Sequence, residues 1–371
     1  MKGPYSKEIS FSTSLDHIQE RIAKIDPVVY GKTRNFIDGA VSYLSPYISR
    51  GVISTKHVLR AVLEKGYSPK NIEKFIQELA WRDYWQQVWI AKGDHINSDI
   101  KRPQPHVENS GIPDAIVVGK TAIEAIDTAI ENFYKTGYLH NHVRMYIASL
   151  CCTIGRYHWH NPAKWMYYHL LDGDWASNAL SWQWVAGANS NKQYYANQEN
   201  INRFCYTTQK DTYLDAPYEA LPNMGIPSEL SRAIQLNLET PLPEPKPVSI
   251  NPDLPTLLYN FYNLDPYWKK DLNANRILLL EPSLFEIYPI SEKSVAFMLE
   301  LSTNIEGIQV FVGEFDAFLE HHQVHRPHFK EHPLNKHYKG IRESRDWMFS
   351  VEGYYPSFFA FWKRCKKELT Y

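Results

Sequence analysis

The stretch that decides the fold runs from Gly137 to Trp184: GYLHNHVRMYIASLCCTIGRYHWHNPAKWMYYHLLDGDWASNALSWQW. It sets Asn141, Arg144, Asp172, Asp174 and Asn178 into an otherwise apolar and aromatic background. A charge enclosed there without compensation costs several kcal/mol, so each must have a partner, and a buried polar ligand is the simplest one. Asn141 and Arg144 stand three apart, and Asp174 and Asn178 four apart after the Asp172-Gly173 turn, so each pair shares a helix face. Trp159, Trp175, Trp182 and Trp184 lie in the same segment and give such a ligand walls of large, easily oxidised rings.

Helical periodicity continues upstream. Thr121 to Tyr134 reads as a helix closed by Gly137, and Asn71 to Ala91 as another, with Ile72, Phe75, Ile76, Leu79, Trp81, Tyr84, Trp85 and Val88 on a wide apolar face. Glu78 and Arg82 lie four apart on that second helix, among tryptophans rather than on a plain polar surface. Asp94 to Ser110 is a polar loop carrying Lys101 and Arg102. Gly119-Lys120-Thr121 resembles the end of a phosphate loop, but Asp114 stands where that loop needs glycine. Further upstream, Ser42 and Ser45 precede Pro46 at a helix start, where small hydroxyls hold a phosphate or serve as plain caps. Ser14 to Ile25 is a short amphipathic helix.

Downstream the style changes. Residues 217 to 256 are rich in proline, densest at PLPEPKP, and read as a stiff extended linker. Arg276 to Leu280 and Ile308 to Val312 are then buried-strand candidates around a helix from Glu292 to Asn304, a β-α-β unit that should be parallel and right-handed. The expected fold class is α+β multidomain: an N-terminal helical segment (1–29), an all-α domain (30–216), the linker (217–256) and a small α/β region (257–371). No GxGxxG fingerprint marks that region.

Composition narrows the function. The 40 Lys and Arg nearly balance the 41 Asp and Glu, so contact with nucleic acid must come from a local patch, for which Lys101, Arg102, Lys192 and Arg203 are the candidates. The four cysteines form no CxxC pair and signal neither a disulfide framework nor a zinc finger. No apolar run approaches the roughly 18 residues of a membrane span and the N-terminus shows no signal core, so a reduced, cytoplasmic, soluble protein is expected. His321, His322, His325, His328, His332 and His337 follow no standard metal spacing, and a basic, solvated or DNA-facing loop accounts for them better. No metal is expected. Asp172-Gly-Asp174 also fails as a calcium loop, because Ser177 and Gln183 stand where glycine and glutamate are needed.

Five blocks in order resemble the flavin-binding helical domain of the cryptochrome and DNA photolyase family: Tyr30 with Arg34; Ser42, Leu44 and Ser45; ELAWRDY from Glu78; GYLHNHVRM from Gly137; and DGDWASNALSWQW from Asp172. The resemblance implies FAD as cofactor. It implies that Tyr30, Ser42, Leu44, Ser45 and Arg82 surround the phosphates and sugars, with Asn141 also at the cofactor. Arg144 and Asp172 form an ion pair against the flavin ring, Asp174 accepts from it, and Asn178 sits by its N5. Glu78, Trp81, Asn141, Met145 and Trp184 then face the substrate, and Trp182 and Trp159 carry electrons.

The activity implied is light-driven repair of cyclobutane pyrimidine dimers in ultraviolet-damaged DNA, and Met145 resembles the pattern of the dimer-repair enzymes. A cryptochrome-like photoreceptor signalling through a protein partner is the alternative, and a flavin enzyme working in the dark is a weaker third. Three departures from the family pattern stand out. Only 29 residues precede Tyr30, so the antenna domain is expected to be missing; no tryptophan falls near His106, where the electron path usually ends; and Phe75 replaces a frequent tryptophan.

Overall fold

The computed structural model describes residues 9–369. Its chain packs as two compact units, each assembled from separated segments: one is built on Val28–Val41 and Lys92–Leu238, the other on Phe11–Pro27, Ser42–Ala91 and Glu239 onward. Among the described residues no helix is long and apolar enough to cross a membrane.

The first unit is almost wholly helical, as the 3.6-residue periodicity predicts. Glu124–Thr136 buries Ala125, Ile126, Ala129, Ile130 and Phe133 on one stripe, and ends at Gly137 in the left-handed conformation at φ 68°. A side chain at Gly137 would collide with Leu171, which explains the glycine where the chain must turn into Asn141–Ser149. That helix runs on through a π turn, Leu150–Ile154, in which Cys151 and Cys152 are fully buried. His160–His169 and Trp175–Ala186 follow; the latter is capped by Asp174, whose carboxylate accepts from the Ser177 N–H at 2.7 Å. Ile112–Pro113 and Ala233–Ile234 form a two-residue antiparallel pair, so part of the proline-rich stretch is tied into this unit.

The second unit centres on a five-stranded, wholly parallel sheet. Its strands are β1 (Thr256–Tyr259), β2 (Asn275–Leu280), β3 (Ile308–Val312), β4 (His328–Lys330) and β5 (Ile341–Glu343), in spatial order β3-β2-β1-β4-β5. The β2–helix–β3 unit matches the reading from sequence, with Glu292–Ser302 as the crossover. The sheet is larger than those two strands because β1, β4 and β5 pair with them. Leu258, Ile277, Leu279, Phe315, Phe318, Phe329 and Tyr338 form one buried core over it, and truncating any of these leucines or isoleucines to alanine should cost about 2–5 kcal/mol.

The chain winds outward from β1 in one direction and then, from β4, in the other. In open sheets of this kind the carboxyl ends flanking the reversal form a crevice. Here the chain's own rings fill it: Tyr262 stacks on His332 at 4.3 Å, Trp89 meets His332 edge-on at 5.1 Å, and Arg50 lies 3.4 Å over Phe261.

Candidate functional site

The polar residues of the founding stretch lie on two helices of the helical unit, Asn141–Ser149 and Trp175–Ala186, and on the turn before the second. Arg144 Nη2 donates to both carboxylate oxygens of Asp172, at 2.9 and 2.8 Å, and its Nε donates to the Leu139 carbonyl at 3.0 Å. The pair is lopsided: the Asp172 side chain is 4% exposed and that of Arg144 22%. The carboxylate is therefore structural support, and the guanidinium is the part a ligand can reach.

Asp174 is buried and fixed by its capping bond, and Asn178 follows one turn later. Asn178 Nδ2 donates to the Ala163 carbonyl at 2.8 Å, which orients the amide and leaves its oxygen and second hydrogen for a ligand. Two apart on the same helix, Trp182 points inward at 2% exposure and Trp184 outward at 40%. Trp159 is fully buried, with its indole N–H 2.7 Å from Asp99 Oδ1. Asn141 is exposed at the start of its helix, Met145 is half-buried one turn on, and Tyr30 is half-buried with its carbonyl accepting from the Arg34 N–H at 2.9 Å.

The other expected residues belong to the second unit. Ser42 and Ser45 are half-buried, whereas Leu44 is a core residue at 1% exposure, preceding the short helix Ser45–Ser49. Arg82 Nη2 donates to Ser49 Oγ at 2.7 Å, so the structure brings Arg82 to the helix that Ser45 begins. Glu78 is half-buried on Glu73–Lys92 and lies 3.0 Å from Lys74. Trp81 stacks on Phe358 at 3.8 Å and 11°, so one face of its ring is already covered.

Phe358 begins the last long helix, Phe358–Cys365, which the sequence reading did not single out. The segment around it is tied down along Glu73–Lys92: Met348 N–H donates to Asp83, Arg345 to Gln86, Gly353 N–H to Gln87, and Trp362 and Lys366 to Glu73. Asp83, the buried carboxylate among these acceptors, also accepts from the Thr55 hydroxyl at 2.9 Å; burial raises its carboxyl to about 6.

Three of the four basic candidates come together. The backbone N–H groups of Lys101 and Arg102 both donate to the Ala188 carbonyl, Lys101 Nζ reaches the Asn189 carbonyl at 3.3 Å, and Arg102 Nη2 reaches Asn191 Oδ1 at 2.6 Å. Lys192 is next in that loop, and Ser190 donates to the Trp184 carbonyl at 2.9 Å, which ties the loop to the end of the helix that carries the exposed indole. Arg203 lies elsewhere in sequence, on Gln198–Cys205 against Phe204.

The histidines disperse. His328 pairs with Glu343 at 2.9 Å and His337 with the buried Glu281 at 2.8 Å, a bond that raises the His337 imidazole, while burial drives His332 well down and keeps it neutral. Among the described residues no group of three His, Cys, Asp or Glu side chains is placed to hold a metal.

The helical unit's donor set suits a flavin. The ring edge of that group alternates hydrogen-bond donors and acceptors, and a reachable guanidinium, an oriented amide and a fixed carboxylate supply complements to both. Residues 75–215 match the family model described as the FAD-binding domain of DNA photolyase. A deoxyribodipyrimidine photo-lyase of Streptomyces griseus is 35% identical over 150 residues, 40% of this chain and 32% of that protein. A cryptochrome DASH of Ostreococcus tauri is 28% identical over 243 residues, 58% of this chain and 42% of that protein. Among solved structures, a bacterial class III photolyase from Agrobacterium tumefaciens aligns at TM-score 0.42 and 23% identity, covering 60% of this chain and 52% of that one. The chain thus spans less than half the length of the two curated relatives.

Proposed function

We propose, from the premise that residues 75–215 make this chain a member of the cryptochrome and DNA photolyase family with FAD as its cofactor, that it repairs cyclobutane pyrimidine dimers in DNA by light. The observation that carries this reading is the exposed Trp184 on the helix whose first turn presents Asn178, with Lys192 on the loop that follows this helix and Lys101 and Arg102 hydrogen-bonded to that loop. An exposed aromatic face and cations on one unit suit an extruded base and its phosphates.

The chemistry FAD supplies in this reading is transfer of one electron to the dimer under blue or near-ultraviolet light, with its recovery after ring opening. Arg144, Asp174 and Asn178 would hold the ring, and Asp172 aims Arg144. The family resemblance assigns Tyr30 and Asn141 of the helical unit, and Ser42, Leu44, Ser45 and Arg82 of the second unit, to the phosphates and sugars. It likewise assigns Glu78 and Trp81 of the second unit, and Met145 and Trp184 of the helical unit, to the substrate, Glu78 as a hydrogen-bond partner for a pyrimidine carbonyl and the others as apolar surface. Trp182 and Trp159 carry electrons toward the ring.

A second reading, a flavin photoreceptor acting through a protein partner, is favoured by two observations. The cryptochrome DASH relative matches 58% of the chain, and Phe358 covers one face of Trp81. Oligonucleotides carrying pyrimidine dimers, incubated with the reduced, flavin-loaded protein in light and in darkness, separate the two. Repair predicts loss of dimers in light alone; dimers that survive illumination by a flavin-loaded protein reject it.

A further inference from the structure

Three buried indoles of the helical unit donate their N–H groups to different kinds of acceptor. Trp175 donates to the Asn97 amide oxygen at 2.7 Å and Trp165 to the Tyr134 hydroxyl at 3.0 Å, both neutral. Trp159, equally buried, donates to a carboxylate, Asp99 Oδ1, at 2.7 Å. The same oxygen lies 3.2 Å from His158 Nε2, and Oδ2 accepts from the Gln104 N–H at 2.7 Å. Gln104 in turn accepts from the Trp159 backbone N–H at 2.9 Å and donates to the Tyr157 carbonyl at 2.8 Å. Indole and carboxylate are thus held in one frame, and exposure rises along it: Trp159 is at 0%, the Asp99 side chain at 21% and that of His158 at 32%.

A carboxylate against an indole N–H does little for a neutral ring beyond orienting it. It matters when the ring loses an electron, because the positive charge then forms beside a fixed negative one in a low-dielectric interior, and the N–H becomes a strong acid. We propose that Asp99 is the positioning residue and proton acceptor for one-electron oxidation of Trp159. The proposal rests on the reading that Trp159 belongs to the electron path. One electron leaves the indole for a one-electron oxidant, the light-excited flavin. The Nε1–H bond of the resulting radical cation breaks, the proton forms an O–H bond on Asp99 Oδ1, and a neutral indolyl radical remains beside a neutral carboxylic acid. One electron from an added thiol then restores the indole, and the proton returns along the same bond. His158 is placed to accept a hydrogen bond from the protonated carboxyl, or to donate one to the carboxylate.

The test is flash photolysis of the flavin-loaded protein, followed by transient absorption and electron paramagnetic resonance, which distinguish the neutral indolyl radical from its cation. Wild type should give the neutral radical. Asp99→Asn keeps an acceptor of the same shape without the charge; it should give the cation, with a lifetime about tenfold shorter, the factor separating charged from neutral hydrogen-bond partners. Asp99→Glu should restore the neutral species, an outcome that a merely structural role does not produce. If Asp99→Asn gives the same species and lifetime as wild type while Trp159→Phe abolishes the signal, the proposal alone is overturned. A signal unchanged in Trp159→Phe overturns the electron-path reading and the proposal with it.

Discussion

Asp172 and Asp83 are both buried carboxylates, one in each unit, and they are satisfied in opposite ways. Asp172 faces a full positive charge whose far side is open at Arg144. Asp83 accepts its hydrogen bonds from neutral donors, the Thr55 hydroxyl and the Met348 N–H, with Arg345 and Arg82 acting on it by charge alone, and holds the C-terminal segment to Glu73–Lys92. The first arrangement leaves a charged group that a ligand can reach, whereas the second leaves none and acts as a fastener.

The largest effects should come from breaking these two arrangements. Asp172→Ala strands Arg144 in a mostly enclosed setting and should cost about 3–5 kcal/mol, read by denaturant unfolding. Asp83→Ala loses two hydrogen bonds and leaves two donors unmet, for about 2–4 kcal/mol, while flavin content per folded molecule stays unchanged. If Asp83→Ala also empties the protein of flavin, the distinction between fastener and binding site fails.

Dependence on pH sharpens the same contrast. The Asp83 carboxyl stands at about 6 in the folded protein against an ordinary 3.8, so the fold binds its proton more tightly than the unfolded chain does. Its contribution is full below about pH 4 and is lost as pH rises to about 6, on the order of 3 kcal/mol. In the helical unit burial lowers His140 from 6.5 to about 4, and the sign reverses: that contribution is present above about pH 6.5 and is lost as pH falls toward 4. Hydrogen exchange resolved by segment should show the amides held by Asp83 losing protection as pH rises toward 6, while the buried His140 and His332 act in the opposite direction, each in its own unit. Asp83→Asn should remove the first dependence and leave the second in place.

Smaller effects belong to the surface. Lys101→Ala and Arg102→Ala should each reduce the salt slope of DNA binding by about one while leaving flavin in place. Glu78→Ala removes the pair with Lys74 and should change stability by no more than about 0.5 kcal/mol. Dimer repair per absorbed photon should nevertheless fall. Normal repair by that variant would withdraw Glu78 from the substrate site.

The helical unit was legible because its elements are long and periodic, and because Asp-Gly and Gly punctuation fixes where they end. β2 was legible from the apolar run Ile277–Leu280, and β3 from apolar residues interrupted only by Gln309. β1 was not: TLLY is four residues wedged behind Pro255 in a proline-rich stretch that reads as linker. HFK and IRE are three residues each, two of them polar, and become strands only because a parallel neighbour supplies the ladder. In the site, Arg144 and Asp172 announced themselves as charges among aromatics. The Trp159–Asp99 bond spans sixty positions and the Trp81–Phe358 stack far more, and no local pattern encodes either. Asp83 was hidden by ordinariness, one polar residue in an amphipathic helix, and its enclosure depends on a segment that folds back from the other end of the chain.

The most direct test of the central claim is a paired FAD titration of wild-type protein and Asp172→Asn, followed by absorbance after removal of free cofactor. The account predicts equimolar flavin in the wild type. It predicts a folded but nearly colourless variant, because Arg144 loses the charge that aims it. A folded Asp172→Asn that retains flavin as tightly as wild type would contradict the assignment of this pair to the cofactor.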